Sequence, residues 1–397
     1  MKKFIFTLSL FTVLFMIGSY GQNRSITFYE KPFQEVLAIA KQQDKLIFMD
    51  AFASWCGPCK WMSATIFTND TVADFYNQHF ICVKYDMEKG EGVTLREKYG
   101  VKAYPTLLFI SPEGDLIHKR VGAPQPVSDY INLGLKAMKP EECYTAYVKR
   151  YNQGENSPEF ILGYLQIMTD AYLPVDEPLK KYFATQQPEQ LTGRTNWQII
   201  YGYCNDMNSN EFKYLIAHQD EFNRLYGQDT VNTKIFNVYF YSLVQYARSM
   251  IMTGDGYNSL KQQVMSSGFR EAAKVVFIAD LNVYQMRGDK DKFMDLAYRD
   301  LDKYYKDDYS MLNNIAWIFH SFSKDKKYLE KAEKWSRHSV DLKSEASSNS
   351  TYAALLYDLG KKEEAVKYCR IALALARQQN LPTVDIENSL KMYEEGK

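Results

Sequence analysis

Cys56 and Cys59, three positions apart in Trp55-Cys56-Gly57-Pro58-Cys59-Lys60, carry the clearest chemistry in the chain. They follow directly on the apolar run Leu46-Ile47-Phe48-Met49-Asp50-Ala51-Phe52. A strand that leads into a CxxC opening a helix is the pattern of a redox site, because sulfurs one helical turn apart can close a small ring. Pro58 suits the first turn of that helix, where its missing N–H would be unpaired in any case. Cys56 then lies at the positive end of the helix, where free N–H groups and the dipole stabilise a thiolate and lower its pKa. The expectation is that Cys56 attacks a disulfide and Cys59 resolves the mixed disulfide. The rival reading of a CxxC is half of a zinc site, which needs a second pair of ligands. Cys82, Cys143, Cys204 and Cys369 are scattered singly, and His79, His118, His218, His320 and His338 form no ligand-like spacing. No metal is expected, and no cofactor beyond the cysteine pair itself; a purely structural disulfide is the other alternative.

The elements that must hold this pair can be read around it. Pro32 followed by Phe33, Val36, Leu37 and Ala40 at helical spacing predicts a helix to about Gln43, and Leu46 to Phe52 predicts the first strand. The helix opened by the cysteines carries Trp61, read as helix packing, with Met62 and Ile66; Thr68-Asn69-Asp70 then breaks or restarts it. Phe80 to Asp86 is a second strand, and Val93 to Tyr99 a short helix. Thr106 to Ile110 and Leu116 to Val121 form a hairpin over Ser111-Pro112-Glu113-Gly114, and a last helix runs from about Val127 to Met138.

With WCGPC at 55 to 59, Tyr104-Pro105-Thr106 and Val121-Gly122-Ala123 in this order, residues 24–138 resemble the thioredoxin family. The resemblance implies an α/β thioredoxin fold, a mixed central sheet with helices on both faces. It places Asp50 at the family's buried aspartate; burial would raise its pKa and suit it to accept the proton of Cys59. Lys84 resembles the partner lysine on the adjacent strand. The resemblance also implies a cis bond before Pro105 and a substrate groove formed by Trp55, Gly57, Pro58, Tyr104, Pro105 and Gly122. There the backbone of Tyr104 would pair with an extended substrate. One departure is Ala64, where thioredoxins proper usually carry a proline. The stretch from Cys59 to Glu88 looks more like secreted relatives of the C-terminal domain of the transmembrane thiol-disulfide interchange protein.

After Lys139-Pro140 the strand signals stop, and residues 139–397 read as helices separated by short turns. Residues 331–340 match residues 364–373 at a spacing of 33, with Gly360 and Ala372 at the places where small residues let helix pairs pack. This resembles a tetratricopeptide repeat, and Gly288 with Phe293 hints at an earlier, degenerate unit. Such solenoids commonly present a face to a peptide or protein partner, and a structural supporting role is the alternative.

The 397 residues exceed one ordinary domain. Lys plus Arg and Asp plus Glu are 48 each, so no net charge advertises nucleic acid or anionic lipid. Residues 1–21 have the build of a cleaved secretory signal: Lys2 and Lys3, the apolar run from Phe4 to Ile17, then small residues Ser19 and Gly21 before the cut. That run is short of the roughly 20 residues a spanning helix needs. The expected location is the periplasm or outside the cell, an oxidising compartment. There the chain is expected to reduce or isomerise protein disulfides, with electrons from a membrane thiol-disulfide donor. The alternative is an interaction scaffold whose helical domain is the main functional part and whose redox centre is a sensor or tether.

Overall fold

The computed structural model describes residues 24–249 and 255–396, so the signal segment expected over 1–21 lies outside the described residues. Helix α1 spans Phe33–Gln43 and stops where Asp44 turns left-handed. Then come β1 (Leu46–Phe52), α2 (Gly57–Thr65), α3 (Asp70–His79), β2 (Phe80–Asp86), α4 (Glu91–Lys98), β3 (Thr106–Ile110), β4 (Leu116–Val121) and α5 (Ser128–Met138). The break between α2 and α3 has a local cause: the Asn69 side chain accepts from the backbone N–H groups of Thr71 and Val72 and so starts α3 afresh.

The sheet order is β2-β1-β3-β4, with β1 parallel to β2 and antiparallel to β3. Because side chains alternate across a strand, each face of β1 builds its own core. Phe48 joins Phe80, Cys82, Leu107 and Phe109 beneath Met62 of α2, Tyr76 of α3 and Tyr130 of α5. Ile47, Met49 and Ala51 join Ile81, Val83, Leu108 and Ile110 beneath Val36 of α1 and Leu95 of α4. Asp50 belongs to the first face and interrupts an otherwise apolar strand.

Beyond Met138 only helices follow among the described residues, fifteen of them α-helices. The first compact unit nonetheless runs on to Tyr203. It includes α6 (Tyr144–Asn152), α7 (Pro158–Asp170), α8 (Asp176–Phe183) and α9 (Arg194–Tyr203). These helices are tied to β4. The Tyr144 N–H donates to His118 Nδ1 at 3.0 Å, Thr145 Oγ1 donates to the Ile117 carbonyl at 3.3 Å, and Arg120 pairs with Asp170. Burial, aided by Lys136 and Arg120, pushes the His118 pKa down to about 4, so the ring stays neutral and Nδ1 is free to accept.

The second unit begins at Cys204 and is helical throughout its described length. The matching segments fall on helices Lys326–Leu342 and Lys362–Gln378. Ala332, Ser336 and Ser339 are buried in one, and Ala365, Cys369 and Ala372 in the other, at the same spacing of 33. Small side chains at these places allow close approach of the preceding helix. Gly288 and Gly360 both end helices at positive φ, 71° and 77°, a conformation that suits glycine.

Candidate active site

Strand β1 ends at Phe52, and Ala53, Ser54 and Trp55 carry the chain to Cys56, the residue that caps α2. Cys56 has extended backbone (φ −69°, ψ 112°), its carbonyl accepts from Lys60 N–H, and its sulfur accepts from Cys59 N–H at 3.1 Å. Pro58 occupies the first turn, where no N–H is required. Cys56 and Cys59 are joined by a disulfide with their Cα atoms 5.3 Å apart. Both sulfur-bearing residues are only 3% exposed, whereas Trp55 is 67% exposed and Gly57 and Pro58 are open to solvent. The pair is therefore set in a rim of exposed groups, with Phe52 and Tyr104 packed beside it.

The Tyr104–Pro105 peptide is cis. The Tyr104 ring meets the Trp55 indole edge to face at 5.9 Å, and the Pro105 carbonyl accepts from Gly122 N–H at 2.8 Å. That last bond extends the β3–β4 ladder by one step, and Gly122 takes φ 89° to make it. Trp55, Gly57, Pro58, Tyr104, Pro105 and Gly122 are thus brought to one end of the sheet. Trp61 is 37% exposed, so most of its surface is covered.

Asp50 is 1% exposed, and its Oδ1 has no hydrogen-bond partner among the described residues. Burial raises its pKa to about 7, against a smaller opposing pull from the Lys84 ammonium. Lys84 pairs with Asp50 in the parallel register, but its own side chain is exposed and lies over the Phe28 ring at 5.5 Å. It acts on Asp50 through its field and not through a hydrogen bond.

Two further residues belong to this end of the sheet without having been singled out by sequence. The Glu88 carboxylate accepts from Trp55 Nε1 at 2.8 Å and fixes the exposed indole. It could have been anticipated, since β1 and β2 are parallel and their following loops must lie side by side. Tyr130 of α5 is fully buried on the Asp50 face, and its hydroxyl has no partner among the described residues. A tyrosine at helical spacing carries no sequence signal for that position.

A CxxC disulfide at the head of a helix, on a mixed sheet covered on both faces, defines a thioredoxin-like domain. Residues 29–112 match the family model described as thioredoxin-like. Thioredoxin from Chlorobaculum thiosulfatiphilum is 34% identical over 80 residues, which cover 20% of this chain and 68% of that protein. The chain belongs to the thioredoxin family. Thioredoxin-1 of Drosophila melanogaster is 39% identical over 72 residues, 18% of this chain; the match spans 63% of the fly protein, under two thirds of its length. A solution structure from Bacteroides thetaiotaomicron is 48% identical, covering 30% of this chain and 99% of that one, with a TM-score of 0.27.

Proposed function

We propose that the protein reduces or isomerises protein disulfides outside the cytoplasmic membrane. The observation that carries this reading is the buried carboxyl of Asp50, whose Oδ1 has no partner among the described residues, poised near neutral pH in the strand that feeds the cysteine pair. In the reduced protein the Cys56 thiolate attacks one sulfur of a substrate disulfide, forming a mixed disulfide and expelling the other sulfur as a thiolate. Asp50 takes the proton from Cys59, whose thiolate then attacks Cys56 Sγ. The Cys56–Cys59 disulfide forms, the second substrate thiol leaves, and two electrons have passed to the substrate. Lys84 tunes Asp50 by its charge. The substrate lies against Trp55, Gly57, Pro58 and Gly122, pairing with the Tyr104 backbone beside Pro105.

No cofactor is needed beyond the cysteine pair. Gly57-Pro58 between the sulfurs is the dipeptide of thioredoxin, whose couple stands at about −270 mV, against about −120 mV for a strongly oxidising periplasmic enzyme. A couple this reducing in an oxidising compartment needs a supply of electrons, for which a membrane thiol-disulfide carrier is the partner we propose. The helical region is assigned to partner binding or support of the redox domain. Equilibrium titration of the protein against glutathione, combined with insulin reduction, tests the reading: a potential above about −180 mV, or no turnover of insulin, would count against a reductant.

A further inference from the structure

The first core face holds two buried oxygens without partners among the described residues, Asp50 Oδ1 on β1 and the Tyr130 hydroxyl on α5. A buried polar group left unpaired is unfavourable, so two such groups on one face call for a common explanation. They are within electrostatic reach of each other: burial raises the Tyr130 pKa first, and the charge of Asp50 raises it further. We infer that the Tyr130 hydroxyl is the hydrogen-bond donor that Asp50 takes up when it ionises, directly or over a single bridging water, which makes Tyr130 a positioning residue for the proton acceptor. The inference rests on the role assigned to Asp50 above.

His118 on β4 also keeps an Nε2 without a partner among the described residues on this face, but it stands opposite Phe109 in the row of Phe48, one row along from Asp50, which faces Leu107. The other groups around the pair are already engaged or cannot donate. On β2, Lys84 lies over Phe28, and the Cys82 thiol, held protonated by burial, is directed to the Tyr76 and Phe80 carbonyls. On α3, the Tyr76 hydroxyl donates to the Tyr130 carbonyl at 2.8 Å, which also fixes the α5 backbone at this point. On β4, Arg120 pairs with Asp170, while Asp129 of α5 is an acid that adds negative charge at Tyr130. Cys59 of α2 is the thiol to be deprotonated and sits in the disulfide here. Among the described residues around this pair, Tyr130 is the one that offers a hydroxyl with no other acceptor. A phenol donating to a carboxylate favours its charged form and opposes the burial that raises its pKa.

The test uses the full chain in its oxidised form, with the Asp50 carboxyl carbon followed by ¹³C NMR and identified by its absence in Asp50→Asn. Tyr130→Phe keeps the ring and removes the donor. The midpoint is expected to rise by about one pH unit, a tenfold loss of ionised Asp50 at pH values below it. A midpoint that does not move overturns the inference. Should Tyr130→Phe fail to fold, 3,5-difluorotyrosine placed at Tyr130 keeps the hydroxyl and makes it a stronger donor; the midpoint should then fall, and an unchanged value is again fatal. Failure of the underlying reading looks different: Asp50→Asn would resolve mixed disulfides as fast as the parent protein, whatever the Tyr130 variants do to the titration.

Discussion

Asp50 and Lys84 stand opposite one another in the parallel β1–β2 register, yet one is 1% exposed and the other reaches solvent. Their opposite charges therefore do not form a contact pair, and the carboxyl is left to the dominant effect of burial, which holds its pKa near 7. This asymmetry keeps Asp50 able to exchange a proton near neutrality. A contact ion pair would have held it ionised.

The first consequence is kinetic. Asp50 is a base only when ionised, so resolution of mixed disulfides should accelerate as pH rises through about 7 and then level off. Asp50→Asn should remove that inflection and slow resolution by about a hundredfold or more. Rapid-mixing measurements between about pH 5 and 9 check it; an unaltered profile in the variant would dismiss Asp50 as the acceptor.

The second is thermodynamic, and its sign follows from the raised pKa. Below about pH 4 the carboxyl is protonated in both folded and unfolded chains and costs nothing. Between about pH 4 and 7 the unfolded chain ionises while the folded one does not, so stability falls as pH rises; above about 7 the full penalty remains. It amounts to roughly 4 kcal/mol at most, from a gap of about three pH units. Asp50→Asn is thus expected to melt higher than the parent at about pH 8 and to show little gain at about pH 4, by calorimetry at both values.

The roles of the two sulfurs are separable. Cys59→Ala should leave the first attack intact and accumulate mixed disulfides, whereas Cys56→Ser should abolish both attack and trapping. Non-reducing gels after incubation with a model disulfide protein report the difference. Greater alkylation of Cys59 than of Cys56 in the reduced protein at neutral pH would reverse the assignment.

Gly92 gives a prediction in which two effects compete. Alanine is favoured over glycine in a helix by about 1 kcal/mol. A Cβ at Gly92, within α4, would however stand 2.0 Å from the Asp86 carbonyl oxygen, a backbone atom that cannot turn aside. Overpacking of this kind costs about 1–3 kcal/mol or more, so Gly92→Ala should destabilise. The displaced loop carries Glu88, and loss of its bond to Trp55 should appear as a change in tryptophan fluorescence.

A fragment ending at Met138 keeps all four strands and the whole cysteine site, and it should reduce insulin. It loses the Tyr144 donor to His118 and the Asp170 partner of Arg120, and it uncovers the outer edge of β4. Such an edge is a template for strand pairing. Compared with a fragment ending at Tyr203, it should melt lower and sediment as larger species. Equal melting and a monomeric state for both would show that α6 and α7 contribute nothing to the sheet.

The four strands were legible in the sequence to the residue. Leu46 to Phe52 and Phe80 to Asp86 are apolar runs closed off by Asn, Asp, Lys and Gly, and Pro112 and Gly114 mark the hairpin. The cysteine pair was legible because its chemistry lies in local spacing. What the sequence left dark depends on contacts between distant segments. Nothing local to Tyr130 says that its hydroxyl lies unpartnered on the Asp50 face, and nothing local to Tyr144 says that its N–H will meet His118.

Cys82, Cys143, Cys204 and Cys369 are all buried and all reduced. Burial pushes the thiol pKa of Cys369 up to about 11, that of Cys204 to about 12 and that of Cys82 higher still, so at neutral pH these three thiols are almost wholly protonated and poor nucleophiles. In the disulfide exchange proposed for this chain, any accessible spare thiolate could capture the mixed intermediate before Cys59 does. Burial with a raised pKa withdraws Cys82, Cys204 and Cys369 from that competition, whereas Cys56, just as buried in area, caps the N-terminus of α2 within a rim of exposed groups.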